Sequence, residues 1–258
     1  MIFPVIFALL LLMVAFIKHW LTVSGLWALG LLIIFLLNFA PLPFWGGFLF
    51  LFLGSALIQF FQKIFQKTEN SFAEKGGQRD FWQVFANSFP TLIFITLGNI
   101  FSKDLFYAAA ITTLTASFSD TVASEVGQFS NGPVYNFKLK KVSPGLSGGM
   151  SLLGTGASFI AAIILPTFMS ILFILFFQPV KIIPLKYFLG IVFCGFLGNL
   201  IDSFLGLFQG KFLTPNGQIT EKKTDQLLAG QPFLRNDGVN FLASGLSGLI
   251  FLVIAYWF

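Results

Sequence analysis

Several acidic residues of this chain stand where only apolar neighbours are expected. In TASFSDTVASEVGQ (115–128), Ser117, Asp120 and Ser124 recur at i, i+3 and i+7, with Glu125 a quarter-turn from Ser124. That spacing places the three on one helical face. A carboxylate in hydrocarbon costs about 2.5–3.5 kcal/mol even on insertion scales, so such groups face a polar cavity or a partner. The stretch GNLIDSFLG (198–206) sets Asn199, Asp202 and Ser203 on one face, and NDGVNFLASG (236–245) does the same with Asp237, Asn240 and Ser244. Paired carboxylate-and-amide faces supply the hard oxygen ligands that suit Mg²⁺ bound to phosphate. In EKGGQRDFWQVFAN (74–87), Asp80, Gln83 and Asn87 share a helical face, with Lys75 and Arg79 just outside it.

A fifth stretch, KVSPGLSGGMSLLGTG (141–156), is rich in glycine and serine. Backbone N–H groups exposed at Gly145, Ser147, Gly148 and Gly149 form a natural anion nest ahead of a helix. No Gly-Lys-Ser/Thr follows, so this is not a P-loop. Gly154 and Gly156 suit close helix packing instead. Together, Asp120, Glu125 and Asp202 as metal ligands, the nest and the Lys75/Arg79 pair make a kit for Mg²⁺-nucleotide chemistry. Phosphoryl or nucleotidyl transfer needs positioning and charge neutralisation more than covalent catalysis. An anion or proton-coupled transporter draws on the same residue types. Transporter sites, however, lie near the midplane and often come from repeated halves, whereas these motifs favour one face and show no repeat.

The elements that must position these groups are membrane helices. Of 258 residues, 56% are hydrophobic, only 10% are charged and 37 are Phe, with a mean hydropathy of +0.87. Soluble domains carry about 25% charged residues, so the composition indicates a single polytopic, all-α membrane domain over 1–258. A lone Cys194 excludes an intrachain disulfide, and a lone His19 excludes a multi-His zinc site. The net charge of +5 comes without a basic-aromatic module, which argues against nucleic-acid binding.

Hydropathy and length predict about eight spans (seven to nine): 1–17, 21–39, 45–61, 82–101, 105–119, 151–178, 187–208 and 240–258. Eight spans put twelve of the fifteen Lys and Arg on one face and leave Lys103, Lys181 and Lys186 on the other. The positive-inside rule then places both termini outside. Loops at about 62–81, 120–150 and 209–239, with the acidic motifs, lie on the cytoplasmic side of an inner membrane or an equivalent organelle membrane. Asn38, Gln59, Asn99, Glu221 and Asp225 read as interfacial or loop residues without a role.

The blocks GGQRDFWQVFAN, FSDTVASEVG, VSPGLSGGMSLLGT, NLIDSFLGLFQG and NDGVNFL resemble, in order and spacing, the hallmark blocks of the integral membrane family that includes phytyl-phosphate kinases. The likeness spans about residues 20 to 250. This chain has Ser119 and Val122 where that family commonly has Ala and Trp. The resemblance implies transfer of a phosphoryl group from a nucleoside triphosphate, CTP by expectation, to an isoprenoid lipid phosphate such as phytyl phosphate. A CTP-dependent cytidylyltransferase making a CDP-lipid is the alternative, reached by attack at the α instead of the γ phosphorus. The family motif acids fall on Asp80, Asp120, Glu125, Asp202 and Asp237, beside Arg79 and Asn240. On this reading Asp80, Asp120, Asp202 and Asp237 are catalytic. Lys75, Arg79, Asn87, Ser124, Gly145, Ser147, Gly148, Gly149, Asn199 and Asn240 contact nucleotide or lipid phosphate.

Overall fold

The computed structural model describes residues 12–64, 78–176, 183–224 and 226–257. Eight helical segments run through them: α1 (12–17), α2 (Val23–Phe39), α3 (Leu42–Ile64), α4 (Phe81–Phe101), α5 (Asp104–Gly127), α6 (Leu152–Phe176), α7 (Leu185–Leu205) and α8 (Asn236–Trp257). Most of the expected first span, 1–17, lies outside the described residues. From α2 onward the helices coincide with the expected segments to within a few residues, with one exception. The fifth helix does not stop near 119 but continues to Gly127, so Asp120 and Glu125 are helical and the loop starts about eight residues later than expected. Among the described residues, α3, α4, α6, α7 with its following turn, and α8 are long and apolar enough to cross a membrane.

α5 is the axis of the bundle. It packs against α3, α4, α6, α7 and α8, and every residue from Ala108 to Ser119 is buried. Its composition explains why it can be surrounded: the run AAAITTLTAS offers mostly short side chains, which let neighbouring backbones approach. The threonine hydroxyls are satisfied locally. Thr112 and Thr115 donate to the carbonyls of Ala108 and Ile111, and Thr113 donates to that of Ala110. Thr91 and Thr113 also meet at 2.9 Å, joining α4 to α5. Large apolar side chains point outward instead, among them Leu31, Leu57, Ile93, Ile160, Phe193 and Val253. Small polar groups inside and bulky apolar groups outside is the inverse of a soluble protein, and it suits a hydrocarbon surround.

Helix starts follow their local sequence. Asp80 caps α4 in a capping box: its carboxylate accepts from Gln83 N (3.0 Å), while Gln83 Oε1 accepts from Asp80 N (3.0 Å). Thr22 caps α2 through Gly25 N. The all-α expectation misses two small antiparallel sheets in the loops. The first pairs β1 (Val134–Tyr135) with β2 (Lys141–Val142), and the second orders β4 (Ile219–Thr220), β3 (Lys211–Leu213) and β5 (Leu227–Ala229). Strands of two or three residues leave no periodic pattern to read, and the turns and helix ends around them set their pairing. Both sheets lie where α5, α6, α7 and α8 converge, at the C-terminal ends of α5 and α7.

Candidate functional site

At that same end, four helices line a small, partly open pocket formed by Asn87, Ala116, Ser117, Asp120, Gly198, Asp202, Asn240, Ala243 and Ser244. α4 supplies Asn87, α5 supplies Ser117 and Asp120, α7 supplies Asp202, and α8 supplies Asn240 and Ser244. Helical spacing gathers these polar groups, because Ser117/Asp120 and Asn240/Ser244 are each one turn apart. Gly198 makes the close approach possible: a side chain there would collide with Ala116. With its amide oriented to suit its neighbours, Asn240 Nδ2 donates to Asp202 Oδ2 (2.8 Å) and to the Asn236 carbonyl (3.2 Å). Asn87 Nδ2 donates to the Gln83 carbonyl (2.9 Å). Asp120 from α5 and Asp202 from α7 both line this pocket. Two carboxylates lining one small pocket repel one another, and a cation or a shared proton relieves that repulsion.

The expected three-carboxylate metal set divides. Glu125 follows Asp120 by five residues, about 140° around the helix, and so faces α3. Its Oε1 accepts from Ser55 Oγ (2.9 Å) and Gln59 Nε2 (3.0 Å), and Arg79 Nη2 lies 3.6 Å away. Arg79 Nη2 also donates to Ser55 Oγ (2.5 Å), and Gln62 Nε2 donates to the Glu125 carbonyl (2.7 Å). The Arg79 backbone is held as well, donating to Trp20 O and accepting from Thr22 N, each at 3.0 Å. Burial pushes the Arg79 guanidinium below its ordinary pKa, and Glu125 opposes that shift. Glu125 therefore partners Arg79 on the opposite face of α5 and does not line the cavity. Among the described residues no cluster of three or more acidic, His or Cys side chains forms.

Other expected site residues also have local partners. Asp80 is the α4 cap, and Asp237 sits in the first turn of α8, where a negative charge favours the helix dipole. Neither lines the cavity. Ser124 is exposed and donates back to the Thr121 carbonyl (3.1 Å). Asn199 is buried one turn before Asp202 on α7, outside the cavity lining. Lys75 lies outside the described residues.

The glycine-serine turn is formed but already engaged. Gly145 and Gly148 have φ of +88° and +82°, a left-handed conformation that glycine adopts freely. Gly148 packs directly on the turn that ends α7: a Cβ there would come within 3.0 Å of Leu207 N, and one on Gly206 within 2.7 Å of Gly148 N. Gly149 is held against Val134 and Val142. The Ser147 N–H donates to Glu221 Oε1 (2.7 Å). Glu221 is buried, and burial raises its pKa against the pull of Ser147, Lys211 and Gln209. The Lys211 ammonium is lowered by burial and donates to the Gly206 carbonyl (3.1 Å).

Sequence reasoning thus misses Ser55, Gln59, Gln62, Gln209 and Glu221. A signal existed for the first three, because 55, 59 and 62 recur at helical spacing in an otherwise apolar helix. Nothing comparable marked Glu221, whose role depends on a contact with a residue 74 positions away. Residues 6–248 match the family model described as integral membrane protein DUF92. No solved structure matches the chain.

Proposed function

This chain belongs to the integral membrane protein DUF92 family, and we propose that it transfers a phosphoryl group from a nucleoside triphosphate, by preference CTP, to an isoprenoid lipid phosphate. The observation that carries this reading is the pocket that Asp120 and Asp202 line together with amides and hydroxyls, in an otherwise apolar bundle. Its donors are all oxygens or amides, a set that fits a hard divalent cation and does not suit zinc or copper. Asp120 and Asp202 would hold Mg²⁺, which when bound neutralises phosphate oxygens. Asn240 fixes the orientation of Asp202 by donating to it. Ser117 and the remaining N–H of Asn87 offer hydrogen bonds to phosphate oxygens, while the Ser244 hydroxyl donates to the Asn240 carbonyl (2.8 Å).

The acceptor needs little activation, since a lipid monophosphate is already anionic at neutral pH. Its oxygen attacks the γ phosphorus, the new P–O bond forms as the bond to the β–γ bridging oxygen breaks, and the nucleoside diphosphate leaves. We also propose an eight-span topology with the cavity end on the cytoplasmic side, where a soluble nucleotide and a headgroup meet. The test is incubation of purified protein with phytyl phosphate, CTP and Mg²⁺, followed by ³¹P NMR. Phytyl diphosphate with CDP supports the reading. CDP-phytol with pyrophosphate would instead mean attack at the α phosphorus, and no product across a panel of lipid phosphates and nucleotides would remove the enzymatic reading.

A further inference from the structure

Apart from the Asp120/Asp202 cavity, one buried polar cluster joins the two long loops. Glu221 projects from the end of β4 into the turn at 145–149, where Oε1 accepts from the Ser147 N–H (2.7 Å) and Oε2 accepts from Gln209 Nε2 (3.1 Å). The Ser147 hydroxyl and the Lys211 ammonium lie near enough to favour its charged form. A backbone N–H and a carboxamide N–H therefore meet one carboxylate, with a hydroxyl and an ammonium nearby. That donor set is what a tetrahedral oxyanion requires.

A carboxylate leaves this set incomplete. Gln209 is 2% exposed, and its Oε1 has no hydrogen-bond partner. A buried amide oxygen without a donor costs the fold its lost hydration. A carboxyl group can serve that oxygen only when protonated, and it then gives up the charge that Lys211 attracts. A phosphate that retains one P–O–H can accept from the donors and give its proton to Gln209 Oε1, so it satisfies every group. Leaving requires little of the fold: Glu221 follows a two-residue strand, and Lys222 and Lys223 beyond it are exposed.

We propose that Ser147, Gln209 and Lys211 form a binding site for a protonated phosphate group, which the tethered Glu221 carboxylate closes in the present conformation. The site is distinct from the Asp120/Asp202 cavity, and the proposal does not depend on the reaction assigned there. Closure is competitive: a carboxylate on a short tether acts at an effective concentration of about millimolar or more, so wild-type protein binds free phosphate weakly.

The experiment is a titration of purified full-length protein in detergent with inorganic phosphate and, separately, with sulfate, which has the same shape and no proton at neutral pH. Glu221→Ala should bind phosphate at least about tenfold more tightly than wild type. It should prefer phosphate to sulfate by at least about tenfold, because a site built around a hydrogen-bond acceptor rejects the ligand that lacks the donor. Adding Lys211→Ala should undo most of the gain. Competition by CTP or by vesicles containing phosphatidic acid then identifies a nucleotide or a lipid headgroup as the source, and displacement by neither assigns free phosphate. Circular dichroism and gel filtration verify folding, and Glu221→Ser is read by the same criteria should the alanine variant fail to fold. Phosphate binding no tighter than wild type in a folded variant overturns the proposal, as does equal affinity for sulfate. Loss of catalysis without a change in phosphate binding would bear on the cavity reaction alone.

Discussion

Asp120 and Asp202 differ from the other motif acids in having a cavity in common. If they hold a cation at the reacting phosphates, Asp120→Asn and Asp202→Asn should each lower turnover by about a hundredfold or more, the scale on which a transition-state charge contact acts. Both variants should remain folded, because an amide fills the same space. Near-wild-type rates in the two would remove the pair from the chemistry. Arg79 and Glu125 should behave in the opposite way. Arg79→Ala leaves a buried carboxylate without its cation and should destabilise the protein by about 3 kcal/mol. Adding Glu125→Gln should recover part of that loss, measured by thermal unfolding in detergent in a double-mutant cycle. Strictly additive costs would mean that the two side chains do not interact.

At the level of elements, position along a helix decides which acids meet. Asp80 carries the expected sequence context for a catalytic acid, yet its carboxylate accepts from Gln83 N in the capping box that starts α4. Asp80→Ala should therefore cost about 1 kcal/mol of stability, and Asp80→Ser, which retains a capping oxygen, much less. Turnover by Asp80→Ser should stay within severalfold of wild type, and a loss comparable to that of Asp120→Asn would assign Asp80 to the reaction. The extension of α5 to Gly127 has the same kind of consequence. It carries Glu125 away from the cavity by helical rotation and toward the polar stripe of Ser55 and Gln59 on α3.

For the whole molecule, the helices place the 128–151 and 206–235 loops at the cavity end and the α4–α5 junction at the other. The single native cysteine is fully buried, so a Cys194→Ala background permits a topology test. Lys138→Cys and Gln218→Cys, both exposed positions, should label with an impermeant maleimide from the same side of sealed vesicles. Ser102→Cys should label from the opposite side. Labelling of Lys138→Cys and Gln218→Cys from different sides would refute the arrangement.

The membrane character of this chain, the helices from α2 onward and the chemical types gathered at one end were legible in the sequence. Hydropathy and 3.6-residue spacing are local properties, and a helix in lipid satisfies its backbone within itself. Ser117 with Asp120, and Asn240 with Ser244, could be assigned to common faces for that reason. Which faces meet is a different question, because it depends on how five helices pack around α5 and on where Gly198 lets α7 approach. Only the tertiary structure joins Asp120 to Asp202, gives Glu125 to Arg79, and sets Glu221 in the glycine-serine turn. These pairings link residues 46 to 82 positions apart, and no local pattern encodes them. Charge and burial select such partners in three dimensions, since each buried carboxylate must find a donor or cation wherever the fold supplies one.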